Sequence, residues 1–168
     1  PADRDQFHGD DDTRRPLVAR GRERMRRIAE VLVGLAPGLD AVVTSPLVRA
    51  AETAEIVASR LGLADRVRQD ARLDLDFDLP RLAALLAALR EDHRSILLVG
   101  HEPSFSEVIG ELTGGTRVVM KKGALARVDL TPGASTHGHL VWLLQPRVLL
   151  SGAPPPAADA PAPDRSPR

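Results

Sequence analysis

The feature that most constrains this chain is a junction that occurs twice. Val-Val-Thr-Ser-Pro-Leu-Val-Arg (Val42 to Arg49) and Ile-Leu-Leu-Val-Gly-His-Glu-Pro-Ser (Ile96 to Ser104) share one plan. Each is a short apolar run that reads as a buried strand. A polar turn and a proline follow, and then a helical pattern. Strands alternating with helices in this way point to a largely parallel sheet with helices on both faces. In such sheets ligands bind at the carboxyl ends of the strands. Helix N-termini there offer unpaired N–H groups to an anion. One junction delivers Arg49 and the other His101. A guanidinium is a planar fork that fits phosphate oxygens. The pair therefore suggests a phosphate site.

Composition removes several alternatives. Lys plus Arg and Asp plus Glu both number 23, so the net charge is zero and no global field draws the chain to nucleic acid or an anionic membrane. There is no cysteine, which excludes disulfides, thiolate metal sites and cysteine catalysis. That also fits a reducing cytosol, so a cytoplasmic location is expected. No apolar run approaches the ~20 residues needed to span a bilayer. Neither Gly-x-Gly-x-x-Gly nor the P-loop pattern is present, which disfavours an ordinary nucleotide-binding domain. A monomer is expected.

The residue pattern predicts a three-layer, doubly wound α/β domain over residues 1–150. Residues 1–15 read as a polar loop. Helices are expected over Leu17 to Leu35, Pro46 to Leu61, Pro80 to Glu91 and Pro103 to Leu112. Strands are expected over Ala41 to Thr44, Arg66 to Gln69, Ile96 to Val99, Ala124 to Leu130 and His139 to Leu144. Thr44 or Ser45 is a candidate N-cap, with Pro46 as first helical residue. Residues 151–168 carry six prolines and five alanines and are expected to be a disordered tail.

Read from the residues alone, each site candidate has a plainer alternative. Arg49 could be an exposed arginine paired with Glu52 or Glu55 along its helix. His101 could cap the helix instead of serving as a phosphate donor or acid/base. Glu102 and Ser104 read as helix caps. Ser106 has no base near it in sequence, so a serine-nucleophile reading is poor. His93, His137 and His139 read as solvent-facing. Lys121 and Lys122 read as a solvated charge pair, and Asp74 and Asp76 as loop residues.

Taken together, the stretches resemble the histidine phosphatase superfamily, also called phosphoglycerate-mutase-like, and within it the small SixA-type phosphohistidine phosphatases. The matching blocks are Arg15 to Met25, Thr44 to Ala54, Leu98 to Ser104 and Lys121 to Leu130, in family order. Thr-Ser-Pro-Leu-Val-Arg-Ala-Ala-Glu-Thr-Ala is the most specific of them. The resemblance implies a phosphatase that passes phosphate to a histidine and then to water, without a metal or other cofactor. Its substrate would be a phosphohistidine protein or a small phosphate ester. It implies that Arg49 and His101 both bind phosphate and take part in catalysis. The family opens, however, on an apolar strand ending in Arg-His-Gly or Arg-His-Ala, whose histidine is the nucleophile. No such strand stands here, and Phe7-His8-Gly9 has Phe7 where the arginine belongs. The expectation is a chain that begins just after the nucleophile and is inactive as written. The alternatives are a non-catalytic phosphate- or phosphoprotein-binding module and, less plausibly, His8 as a replacement nucleophile.

Overall fold

The computed structural model describes residues 11–36, 38–89, 93–134 and 136–151. A three-stranded parallel sheet forms from β1 (Ala41–Thr44), β2 (Val67–Gln69) and β3 (Ile96–Val99), in the order β2-β1-β3. β1 pairs with β3 residue for residue, from Ala41 with Ile96 to Thr44 with Val99. Around it lie α1 (Ala19–Leu35), α2 (Val48–Leu61), α3 (Leu79–Leu89) and α4 (Ser104–Leu112). β4 (Leu125–Leu130) and β5 (Gly138–Leu144) form a separate antiparallel hairpin, followed by a short helix, α5 (Pro146–Ser151).

Alternation along the strands builds the layers. Val43, with Ile96 and Leu98, joins a core made with Leu73, Phe77, Leu82 and Leu85 around α3 and with Val108 and Leu112 of α4. Val42, with Leu97 and Val99, faces Ala54 and Ala58 of α2 on the opposite side. α1 then packs on α2 through Ala29, Leu32 and Val57. The result is the expected α/β/α sandwich. Val42 and Val43 are both fully buried, each worth roughly 1.5–3 kcal/mol of burial.

Most element boundaries match the sequence reading, and the differences have local causes. α2 begins at Val48, not Pro46, and its cap position is Leu47, which makes no side-chain cap. Thr44 and Ser45 therefore do not cap the helix. The Ser45 hydroxyl instead accepts from the Leu47 N–H at 3.3 Å, which holds Pro46 and Leu47 in an extended turn before the helix. α4 likewise starts at Ser104, one residue past Pro103. Ser104 is not a cap, since its hydroxyl donates to the Leu75 carbonyl, whereas the Glu102 carboxylate does serve the first turn of α4, accepting from both the backbone N–H and the hydroxyl of Ser106. Asp78 accepts from the Arg81 N–H at 2.9 Å at the start of α3. Gly62 ends α2 in the left-handed region at φ 71°, as its position predicts. The loop reading of residues 11–15 gives way to a 3₁₀ turn, Asp12–Arg14, capped by Asp11. Ser151 belongs to α5, while the remainder of the expected tail, residues 152–168, lies outside the described residues. No described helix is long and apolar enough to cross a membrane.

The last two strands pair with each other as a hairpin and not with the parallel sheet. Among the described residues, β4 is not hydrogen-bonded to β3, so the strands form two sheets. β3 has β1 on one side only, and all four of its residues are half-buried, although it is the most apolar strand of the parallel sheet.

Candidate active site

The carboxyl ends of β1 and β3 are tied together at the point where both chains leave the sheet. The Ser45 N–H donates to the Val99 carbonyl at 2.9 Å, and at the other side of β1 the Asp70 N–H, just past β2, donates to the Thr44 carbonyl at 2.9 Å. These bonds hold both turns at one edge, as a parallel α/β sheet requires of a ligand site.

His101 leaves β3 one residue after Gly100. A Cβ on Gly100 would lie 2.2 Å from Cε2 of Phe105, whose ring stacks on Phe77 at 5.1 Å. Glycine is needed there because a core ring fills the space. His101 is buried, and its Nε2 lies 2.9 Å from Oγ of the fully buried Ser45. One junction thus positions the side chain of the other across 56 residues of sequence. A hydroxyl can donate to a neutral ring or accept from an N–H, so Ser45 fixes the ring plane in either state. Burial holds His101 below the usual imidazole range. The Arg49 charge lowers it further, while Asp74 and Asp12 push it back up.

Arg49 projects from the first turn of α2 with its side chain 11% exposed. Its Nη1 donates to the Asp12 carbonyl at 2.8 Å and lies 3.4 Å from the Asp12 carboxylate. Glu52 is occupied elsewhere, accepting from the Leu17 N–H at 2.7 Å and from Arg22 at 2.5 Å. Arg49 is therefore not an exposed arginine spent on its own helix. It is held over the strand ends, where His101 feels its charge.

The other sequence candidates separate. Asp74 lies near enough to His101 to act on it electrostatically, and its carboxylate accepts from the Leu75 N–H at 2.7 Å. Asp76 pairs with Arg81 instead. His137, His139, Lys121 and Lys122 are exposed, and His93 is half-buried just before β3, at the opposite end of that strand from His101. Ser106 bonds Glu102 at 2.5 Å and accepts from the Met120 N–H at 3.0 Å, which makes it a tie between α4 and the loop before β4. An open cavity of about 500 Å³ lies along that tie, lined by Glu102, Ser106, Gly110 and Val119, and neither Arg49 nor His101 lines it. His8 lies outside the described residues. Sequence reasoning missed Ser45 as the partner of His101, and it missed Asp12 and Arg15, whose Nε lies 2.8 Å from Asp12.

The sequence and fold have counterparts among known proteins. Residues 2–77 match the model of the histidine phosphatase superfamily, branch 1. An uncharacterised protein of Picosynechococcus sp. is 33% identical, over 89% of this chain and 93% of its own length. Phosphohistidine phosphatase SixA of Escherichia coli is 31% identical, over 83% of this chain and 90% of its own. A solved structure of the protein histidine phosphatase SixA complexed with tungstate superposes with a TM-score of 0.75 at 29% identity, covering 84% of this chain and 90% of that one. The phosphoglycerate mutase of Bacillus anthracis, at 12% identity and a TM-score of 0.64 over 81% of this chain and 85% of its own, shares the fold alone. With the superfamily model matching residues 2–77 and a SixA relative 31% identical over most of both lengths, the chain belongs to the histidine phosphatase superfamily, among its SixA-like members.

Proposed function

We propose that this protein is a phosphohistidine phosphatase acting on a phosphorylated protein, with Arg49 and His101 as the groups that hold the phosphoryl oxygens. The observation that carries this reading is a buried imidazole and a largely buried guanidinium after two paired strands, near enough that the charge of Arg49 acts on His101. The likeness to SixA supports the same substrate class. The chemistry follows from the surroundings. Arg49 presents a cationic fork to two oxygens of the phosphoryl group. His101 is biased toward its neutral form without an anion, and an arriving dianion favours the protonated form. Binding therefore draws a proton onto His101, which then donates to phosphate. Both groups are already in place before charge develops on those oxygens, which is the condition for electrostatic catalysis. As the phosphorus–nitrogen bond breaks, the imidazole of a phosphohistidine leaves readily and needs little help from an acid, and the family resemblance implies that the phosphoryl group passes to a nucleophilic histidine and then to water.

A second reading is binding without turnover. Its support is that, among the described residues, no other histidine stands beside His101 to accept a phosphoryl group. One experiment separates the two. Incubate the protein with a phosphohistidine-bearing protein domain and, in parallel, with a small aryl phosphate, and follow inorganic phosphate. Release of inorganic phosphate from the phosphohistidine protein supports turnover. Retention of the phosphoprotein without release supports the binding module. Release from the aryl ester alone moves the substrate class to small esters.

A further inference from the structure

We propose that Arg15 is a second arginine of the anion site and that the Asp12 carboxylate is its internal occupant, displaced when a phosphoryl group binds. The proposal rests on the phosphate-site reading above and adds to it a ligand from outside both junctions. Arg15 is only 8% exposed, and its Nε is shut off from solvent. A buried guanidinium is costly unless a charge faces it. That charge is Asp12: Arg15 Nε lies 2.8 Å from Oδ1, and Arg49 Nη1 lies 3.4 Å from Oδ2. Two guanidinium groups from different elements thus share the two oxygens of one carboxylate.

This bracket has anchors that do not involve the Asp12 carboxylate. Arg49 Nη1 donates to the Asp12 backbone carbonyl at 2.8 Å. The Leu17 N–H, two residues past Arg15, donates to Glu52 of α2 at 2.7 Å, and the Leu17 side chain is buried. The two arginines therefore keep their spacing when the carboxylate swings away. The Asp12 side chain is 38% exposed and has solvent to swing into. It also lies in the same field as His101, which it and Arg49 push in opposite directions. A phosphoryl group offers more charge and more acceptor oxygens than a carboxylate. It can accept from both arginines and from His101 together.

The test is calorimetric titration of inorganic tungstate, a tetrahedral oxyanion, into the full chain and three variants, each checked by its thermal melt. Arg15→Gln is expected to weaken binding about ten-fold or more, the usual worth of a charge-assisted hydrogen bond. Asp12→Asn is expected to tighten it, because the internal competitor is gone. Arg49→Gln is expected to weaken it as well. If Arg15 and Asp12 only tie the loop together, Arg15→Gln and Asp12→Asn shift affinity the same way, and the proposal falls. Weakening in Arg49→Gln with no change in Arg15→Gln overturns the role of Arg15 and leaves the phosphate site standing. No tungstate binding by the wild type, or no effect of Arg49→Gln, overturns both. Should Arg15→Gln fail to fold, Asp12→Asn decides alone: binding that is unchanged or weaker refutes displacement.

Discussion

The two strand–turn–helix junctions follow one plan but occupy different positions. All four residues of β1 are buried, while all four of β3 are half-buried. Hydrophobicity does not explain this, since Ile-Leu-Leu-Val is more apolar than Ala-Val-Val-Thr. Place in the sheet does: β1 has strands on both sides, and β3 has β1 on one side only among the described residues. The polar residues that follow invert the pattern. Ser45 and His101 are both buried, and they bond each other. The lesson is a division of labour. The first junction is the rigid reference, and it supplies both Arg49 and the hydroxyl that orients the second junction's imidazole.

That division can be broken most directly at Arg49. If the first junction supplies a phosphate ligand, Arg49→Ala in a form that turns over should slow phosphate release by about 10²-fold or more, the typical loss of one preorganised donor. Release at the wild-type rate would reduce the first junction to scaffold.

Next in size is Gly100, where the second junction depends on the core behind it. Gly100→Ala drives a methyl into the Phe105 ring, which already packs on Phe77. Overpacking of this kind should destabilise the domain by about 1–3 kcal/mol. An unchanged denaturant midpoint would show that Phe105 yields freely.

The link between the junctions is tested at Ser45. Ser45→Ala leaves His101 Nε2 and the Leu47 N–H without the hydroxyl that partners them. The expected loss is about 1–3 kcal/mol of stability, read from chemical unfolding, because both groups are buried. A cost near zero would mean that a water replaces the hydroxyl.

The smallest effects are in titration. His101 titrates below the usual imidazole value, from burial first and Arg49 second. Proton resonances of His101 should therefore move upward in pKa in Arg49→Gln and further down in Asp12→Asn. In stability the sign follows from the unfolded chain. Its histidine takes up a proton as pH falls through about 6.5, while the folded form resists. Stability should fall as pH drops below that value toward the lowered folded pKa, and His101→Gln should remove that part of the slope. A slope that survives His101→Gln would assign the effect to other groups.

Much of the architecture was legible because it is local. The apolar runs at Ala41 to Thr44 and Ile96 to Val99 form strands at those residues, and Gly62 stops α2 where a left-handed residue is needed. Arg49 and His101 could be picked out because a strand end, a turn and a helix start are all visible in a dozen residues. Ser45 was misread as a cap because its sequence neighbours invite that role. Its partner, His101, stands 56 residues away and is reached only when β1 and β3 pair. Asp12 and Arg15 were hidden for a related reason. Nothing in spacing separates Arg15 from Arg14, yet Arg15 is buried and Arg14 exposed. The amino-acid sequence by itself determined the order of strands and helices along the chain and picked out Arg49 and His101 at two strand ends. Short-range periodicity and turn chemistry encode those. The tertiary structure decided which strand is central, which hydroxyl holds the histidine, and which carboxylate bridges the arginines. Those depend on strand pairing and burial, which bring distant residues into one low-dielectric place where a charge must find a partner.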